Sequence, residues 1–218
     1  MSSLCIAGVD EAGRGPVIGP LVIAGIVVKE EHSEALVEWG VRDSKDLTRR
    51  KREALELSIR RIALQVEVME ISAAEIDTRR SAKRSLNDLE AEWMAIILQH
   101  LQWDVAYVDA ADVVAERYGR TIQARLETEK TIVSEHKADQ NYPVVAAASI
   151  LAKVRRDRRI SELHNRYGDF GSGYPSDPLT RRFLREWIAK YGTFPEIVRH
   201  SWETARKILA TRRQQTLP

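Results

Sequence analysis

Three short apolar segments of this sequence each lead directly into a carboxylate, and this pattern constrains the fold more than any other feature. The segment "IAGVDE" ends in Asp10 and Glu11, "DVAYVDA" carries Asp109, and "TIVSEH" is followed closely by Asp139. Short segments rich in valine and isoleucine are typical of buried strands. Because the later strands alternate with segments of helical periodicity, we predict an α/β domain with a mixed sheet whose last third is helical.

The other elements are predicted from periodicity and from helix-terminating residues. Strands are expected at residues 4–10, 17–28, 65–71, 104–110 and 131–136. Helices are expected after Thr48, after the capping-box sequence "SLND", over residues 112–126, over 143–167 before Gly168, between a cap at Asp177 and Gly192, and from about Ser201.

Composition excludes several classes of protein. The chain has 218 residues, 44% of them apolar, which suffices for one domain or for a domain with a helical appendage. Its longest nearly uncharged apolar stretch, residues 16–28, is shorter than the roughly 20 residues that a membrane-spanning helix needs. The single cysteine, Cys5, excludes an internal disulfide and a cysteine-built zinc site. We expect a soluble cytoplasmic protein with no signal peptide.

Basic side chains concentrate in the last third of the chain. Residues 137–218 contain 16 basic and 8 acidic side chains, although the whole chain has a net charge of only +2. Such a surplus is compatible with a polyanionic partner. A solvated helical face that happens to be basic is an equally good interpretation of charge alone.

The carboxylates at the strand ends suggest a metal site. A cluster of acids is electrostatically unfavourable unless a cation neutralises it, and hard oxygen ligands select magnesium or manganese. Two such ions, about 4 Å apart, can activate a water and stabilise the leaving oxygen of a phosphodiester. Each acid could instead be a solvated turn residue or a helix cap, and spacing alone does not exclude the other boundary acids, Asp43, Asp104, Asp112 and Asp177.

A glycine-rich turn follows the first two acids. Gly13, Gly15 and Gly19 free the backbone to turn tightly or to approach another molecule closely. Their spacing is not that of a dinucleotide-binding loop, and the turn lacks the lysine of a phosphate-binding loop. Arg14 between the glycines is either an exposed turn residue or a functional one.

Five motifs in order give these features a family context. They are "GVDEAGRGPVIGPLVIAGIVV", "DSKDL", "YVDAADV", "HKADQNYPVVAAASILAKVRRD" and "GSGYPSDP". Together they resemble ribonuclease HII, and in detail its archaeal branch, over nearly the whole chain from about residue 6 to the "SWETARKIL" segment. The resemblance implies a ribonuclease H-like fold, a mixed five-stranded sheet flanked by helices. It further implies a catalytic domain over residues 1–168 and a helical C-terminal extension over 169–218 that grips nucleic acid.

The resemblance also implies roles for individual residues. Asp10, Glu11, Asp109 and Asp139 would bind the divalent metals, Mg²⁺ or Mn²⁺. The turn Gly13, Arg14 and Gly15 would contact the sugar 2′-hydroxyls around the cleaved bond. Tyr174 would pack on the sugar at the RNA–DNA junction, unless it is only a packed loop aromatic. This agrees with the chemistry, since the 2′-hydroxyl distinguishes RNA from DNA.

Four further residues lie in family-like motifs and are candidates for backbone phosphate contacts. Lys45 is the strongest, followed by Lys137, Ser149 and Lys153. The lysines could instead be solvated, and Ser149 could pack within its helix. His136, near Asp139, is a weak candidate for assisting proton transfer, whereas His100 is expected to be packed or half-buried rather than a ligand.

The resemblance implies a metal-dependent endoribonuclease acting on RNA/DNA hybrids and on DNA duplexes that contain ribonucleotides. It would hydrolyse the RNA strand and incise 5′ of embedded ribonucleotides, leaving a 3′-hydroxyl and a 5′-phosphate. We expect a monomer. Gln214 and Leu217 match the first half of a sliding-clamp-binding box, but the aromatic pair is absent. Either the box is lost, or the chain is truncated, or this is only a frayed tail, which is the interpretation we favour.

Two alternatives stay open, one from the same superfamily and one from another functional class. Related folds with clustered acids include DNA-junction nucleases and recombination enzymes, and a catalytically silent hybrid-binding protein would retain the same fold. Ribonuclease HIII is disfavoured because the glycine-turn motif begins at residue 8, ahead of which no extra domain is expected. Ala147 and Val113 depart from the serine and asparagine expected in relatives. Neither is one of the four acids, so the resemblance supports the expected catalysis more strongly than the expected substrate handling.

Overall fold

A computed structural model describes residues 3–41 and 47–215, with side chains through residue 212. The described strands are β1 (Cys5–Ala12), β2 (Leu21–Lys29), β3 (Gln65–Ile71), β4 (Val105–Asp109) and β5 (Thr131–Glu135). The described helices are α1 (Ser33–Glu38), α2 (Arg49–Ile62), α3 (Ala73–Ser81), α4 (Leu86–His100), α5 (Ala115–Gln123), α6 (Ala138–Asn141), α7 (Pro143–Tyr167), α8 (Pro178–Tyr191) and α9 (Glu203–Gln215).

The described strands form one mixed sheet in the order β3-β2-β1-β4-β5. β1 pairs with β2 antiparallel, with Asp10 opposite Ala24, and pairs with β4 parallel, with Val9 opposite Val108. β4 and β5 are also parallel. Residues 21–28 of β2 are all buried, which explains their continuous apolar sequence. The predicted mixed five-stranded sheet is therefore confirmed.

Gly8 in β1 lets α7 approach the centre of the sheet. A Cβ atom at this position would lie 2.3 Å from the carbonyl oxygen of Val144, in the first turn of α7. Backbone atoms cannot move aside as a flexible side chain can. The segment "IAGVDE" therefore needs glycine at position 8 for packing. A larger apolar residue, such as buried strands usually carry, would collide with the backbone of α7.

The predicted strand over residues 17–28 is too long at its start. β2 begins at Leu21 because Gly19 has a φ of +93° and Pro20 follows it, which interrupts an extended conformation. Ile18 instead forms an isolated antiparallel bridge with Val198. Periodicity also failed to predict three short helices, α1, α3 and α6.

The predicted helix termini are confirmed where local chemistry determines them. Thr48 caps α2, its hydroxyl accepting a hydrogen bond from the Lys51 N–H at 3.3 Å. Asp177 caps α8 by accepting from the Leu179 N–H at 2.9 Å, with Pro178 in the first turn. Gly192 ends α8 with a φ of +84°.

The chain forms two compact units, each built from separate segments of sequence. The first comprises residues 1–12, 22–69 and 87–155, and the second comprises 13–21, 70–86 and 156–218. The core of the first unit includes Val22, Ile26, Val145 and Ile150, and that of the second includes Val17, Phe170 and Leu184. The functional division at residue 168 stays a prediction. In the described part of the chain, no helix is both long and apolar enough to cross a membrane.

Replacing Gly8 by alanine is expected to destabilise the protein by about 1–3 kcal/mol, the usual cost of overpacking a core, or by more. The added methyl would have to displace the backbone of α7 at Val144. Urea unfolding followed by circular dichroism measures this change. A Gly8→Ala protein as stable as the unsubstituted protein would show that β1 and α7 do not approach each other this closely.

Candidate active site

Asp10 lies near the end of β1 and is only 4% exposed. Its Oδ1 accepts a hydrogen bond from the Glu11 N–H at 2.7 Å, and its carboxyl group is hydrogen-bonded to the side chain of Ser149 in α7. Burial is the largest cause that raises the pKa of Asp10 well above its usual value, and the charges of Glu11 and Asp109 raise it further. The two hydrogen bonds oppose this shift. The ionised form of Asp10 is therefore unfavourable without a compensating positive charge.

Asp109 and Asp139 approach the same region through β4 and α6. Because β1 and β4 are parallel and Val9 lies opposite Val108, Asp10 and Asp109 follow at the same ends of adjacent strands. Asp109 accepts a hydrogen bond from the Ala138 N–H at 2.8 Å, which ties it to the first turn of α6. The next residue is Asp139, which is 2% exposed.

The donors of this group have the chemistry of a divalent-metal site. Among the described residues, no three acidic, histidine or cysteine side chains are arranged ready to hold a metal ion. The donors are nevertheless all carboxylate oxygens, and the pKa of Asp10 is raised first by burial and then by the charges of Glu11 and Asp109, both of which a hard cation would offset. The residues present therefore fit a divalent metal, and their assignment as its ligands is a proposal.

The glycine turn belongs to the second unit and adopts a conformation that requires glycine. Gly13 has a φ of +93°, and a Cβ atom there would lie 2.4 Å from Nε of Arg156 and 2.7 Å from the Pro20 carbonyl oxygen. The turn is thus packed against the Arg156 side chain, in the second half of α7. Gly15 lies beside Tyr174, since its Cβ would be 3.4 Å from the Tyr174 ring.

Tyr174 is held by a short loop but keeps 42% of its surface exposed. Asp177 fixes this loop by accepting hydrogen bonds from the N–H and hydroxyl of Ser172 at 2.6 and 2.7 Å. These hydrogen bonds, the Ser172 N–H first, lower the pKa of Asp177 to about 2. The ring of Tyr174 is therefore exposed on a well-anchored loop, and its contact with a sugar stays a prediction.

Arg156 is a buried residue of this unit that sequence reasoning did not single out. It is 7% exposed, and its guanidinium carbon lies 5.7 Å from the centre of the Tyr174 ring. Burial lowers the pKa of Arg156, and its Nε and Nη2 atoms find no hydrogen-bond partner among the described residues. In the sequence "KVRRD", nothing distinguishes Arg156 from the neighbouring arginine, because only the packing shows which one is buried.

The other predicted residues have varied positions. Ser149 is buried and bonded to Asp10, and Lys137 begins α6 with a positive φ of 57°. His136 is exposed, with Nε2 3.1 Å from the Val113 carbonyl oxygen. His100 keeps 53% of its side chain exposed at the end of α4. Lys45 lies outside the described residues, and the phosphate contacts proposed for it and for the other three residues stay predictions.

Comparison with known proteins shows the family of this chain. The family model for Ribonuclease HII matches residues 7–205. The chain belongs to the ribonuclease HII family. Ribonuclease HII of Pyrococcus abyssi is 52% identical over 205 residues, which cover 93% of this chain and 90% of that protein. Ribonuclease HII of Archaeoglobus fulgidus is 47% identical, with 97% and 98% covered.

Solved ribonuclease structures agree with this family. The crystal structure of ribonuclease H2 from Pyrococcus horikoshii matches with a TM-score of 0.91 and 49% identity, covering 97% of this chain and all of that one. A Bst-RNase HIII structure in complex with Mn²⁺ matches at a TM-score of 0.83 but at 20% identity over 98% of this chain and 71% of that one, so it supports the fold alone. The predicted ribonuclease H-like fold and the predicted enzyme class, a divalent-metal-dependent endoribonuclease, are confirmed.

Asp10→Asn is expected to leave the metal-free protein as stable as before or to stabilise it. The raised pKa of Asp10 means that the folded state favours the protonated carboxyl, so its ionisation at neutral pH opposes folding, and an amide removes that charge. The midpoint of thermal unfolding in a chelating buffer measures this. A marked loss of stability there would show that ionised Asp10 supports the fold instead.

Proposed function

We propose that this ribonuclease HII hydrolyses the RNA strand of RNA/DNA hybrids and incises DNA duplexes on the 5′ side of embedded ribonucleotides. The products carry a 3′-hydroxyl and a 5′-phosphate. The observation that carries this proposal is the buried Asp10 at the end of β1, with Glu11 and Asp109 close enough to raise its pKa. Such crowding of carboxylates on an enzyme of this family is best explained by metal binding.

Asp10, Glu11, Asp109 and Asp139 are proposed to hold Mg²⁺ or Mn²⁺. When bound, these ions supply the activation of a water and the stabilisation of the departing 3′ oxygen. The contribution of the chain is to fix the donors before the ions bind. The Glu11 N–H and Ser149 orient the carboxylate of Asp10, and the Ala138 N–H orients that of Asp109.

Recognition of the ribonucleotide is assigned to the glycine turn and to Tyr174. The backbone of Gly13, Arg14 and Gly15 is free of bulky side chains at both glycines, so its polar groups can approach a sugar hydroxyl. The exposed ring of Tyr174, anchored through Ser172 and Asp177, provides a flat apolar surface for a sugar. Together they would recognise a 2′-hydroxyl without reading the base sequence.

The basic last third of the chain is proposed to bind the duplex backbone. Residues 169–218 would act as the substrate-binding extension, and Lys45 would contact a phosphate. A relative from Archaeoglobus fulgidus has been solved as a PCNA:RNase HII complex, with a TM-score of 0.85 and 46% identity to this chain. That complex supports a sliding clamp as a partner here too. Gln214 and Leu217 lie beyond the described side chains, and a cytoplasmic monomer stays a prediction.

Cleavage of a labelled DNA duplex that contains one ribonucleotide tests the proposal. We expect incision 5′ of the ribonucleotide with Mg²⁺ or Mn²⁺, loss of incision with a chelator, and at least a thousandfold loss in Asp10→Asn. An all-DNA duplex and an RNA/DNA hybrid are compared in parallel. Cleavage of the all-DNA duplex would favour a junction nuclease, and binding without any product would favour a silent binding protein.

Replacing Tyr174 tests its proposed contact with the sugar. Tyr174→Ala is expected to lower kcat/KM on the single-ribonucleotide duplex roughly tenfold, because it removes an aromatic contact surface. Tyr174→Phe is the matched control, since it keeps the ring and should retain most of the activity. Equal losses in the two variants would mean that the hydroxyl, rather than the ring surface, is needed.

A further inference from the structure

Arg199 is a completely buried arginine that directs its guanidinium at the glycine turn. It is 0% exposed, and it donates three hydrogen bonds to backbone carbonyls of the second unit. Nη2 donates to Gly13 at 2.7 Å, Nη1 to Arg14 at 3.0 Å, and Nε to Gly19 at 3.0 Å. A planar guanidinium can fix several acceptors at once in a way that an ammonium group cannot.

Trp202, three residues further along the chain, completes this set of contacts. Its indole N–H donates to the Gly15 carbonyl at 3.1 Å, and its ring lies 4.7 Å from the guanidinium carbon of Arg199. The two side chains together therefore engage the carbonyl groups of all three residues of the turn. No step of the proposed chemistry uses either side chain directly.

The backbone around Arg199 reinforces the same attachment. The Gly19 N–H donates to the Ile197 carbonyl at 2.9 Å, and the Arg199 N–H donates to the Val17 carbonyl at 2.9 Å. These bonds join residues 17–19 to residues 197–199 as a short antiparallel pair that includes the Ile18–Val198 bridge. The turn is thus fixed at its carbonyls and along the segment that follows it.

This attachment determines the direction of the amide groups of the turn. In a planar trans peptide, the N–H of one residue points opposite to the carbonyl of the residue before it. The carbonyls of Gly13 and Arg14 face Arg199, so the N–H groups of Arg14 and Gly15 point away from it. Residue 16 is proline, which has no N–H group, so the backbone of the turn offers no further hydrogen-bond donor at that residue.

We propose that Arg199 and Trp202 are positioning residues for ribonucleotide recognition. They hold the carbonyls of the turn, which fixes the direction in which the N–H groups of Arg14 and Gly15 approach a sugar 2′-hydroxyl. The inference rests on the proposed function, in which the turn contacts that hydroxyl. It makes the specificity of this contact depend on two residues that do not touch the substrate. Burying a charged arginine for stability alone would be unfavourable compared with a well-packed apolar side chain.

Arg199→Lys and Trp202→Phe test this role in the full chain. Lysine keeps the charge but loses the three-point contact, and phenylalanine keeps the ring but loses the donor to Gly15. Arg125→Lys is the matched control, because Arg125 also donates to a backbone carbonyl, that of Thr121, but lies in the first unit and outside the proposed binding extension. Each protein is first checked for folding by circular dichroism.

The measurement compares recognition of the ribonucleotide with binding of DNA in general. KM is determined for cleavage of a duplex containing one ribonucleotide, and an uncleavable all-DNA duplex of the same sequence is used as competitor to obtain its Ki. The ratio of Ki to KM measures discrimination and does not depend on the fraction of active enzyme. Hydrogen exchange of the amides at residues 13–19 gives a second measurement that does not depend on activity.

In Arg199→Lys we expect the ratio of Ki to KM to fall at least fivefold, with Ki unchanged and faster exchange in the turn. Trp202→Phe should show a smaller fall in the same direction, and Arg125→Lys should show none. If Arg199→Lys does not fold, Trp202→Phe decides the question.

Two results would overturn the inference. Retained discrimination in a variant whose turn exchanges faster would reject the positioning role while leaving the proposed function intact. A ratio near one in the unsubstituted enzyme would reject reading of the ribonucleotide itself, and the inference with it.

Discussion

The close contact between β1 and α7 at Gly8 determines how the candidate metal ligands are arranged. Because Gly8 has no side chain, the backbone of α7 at Val144 can pack directly on the central strand. Asp10 lies two residues after Gly8 in β1, and Ser149 lies five residues after Val144 in α7. The side chains of Asp10 and Ser149 are hydrogen-bonded to each other. A single close approach of backbone therefore buries the carboxylate and supplies one of the groups that orient it.

The aspartates at segment boundaries show why location within the fold, rather than residue type, decides function. Asp104 accepts a hydrogen bond from the Cys5 N–H, Asp112 accepts from the Val114 N–H, and the pKa values of Asp112 and Asp177 are lowered by such bonds. In Asp10 the pKa is raised, because burial and neighbouring acids outweigh its hydrogen bonds. The first group stabilises loops and helix ends, whereas the ionised form of Asp10 is unfavourable without a compensating positive charge.

Features that depend on nearby residues could be predicted from the sequence, and those that depend on distant contacts could not. The strand ends with their carboxylates, the caps at Thr48 and Asp177, and the family motifs are all local patterns. The start of β2 at Leu21 was missed, since the apolar pattern continues through the turn before it. Arg199 was missed because its acceptors, Gly13 and Arg14, lie about 185 residues earlier in the chain.

In the proposed recognition, the glycine turn needs the contacts of Arg199 because glycine has a large conformational entropy to lose. Two glycines allow close approach to a sugar, but they also leave the free turn with more accessible conformations than any other residue would. Recognition by backbone donors requires those conformations to be restricted before the substrate binds, since otherwise binding must supply the ordering. Contacts to the carbonyls of the turn provide that restriction without occupying its amide groups. In the proposed recognition, a turn that binds through its backbone therefore needs partners elsewhere in the sequence, and Arg199 and Trp202 are the side chains that contact its carbonyls.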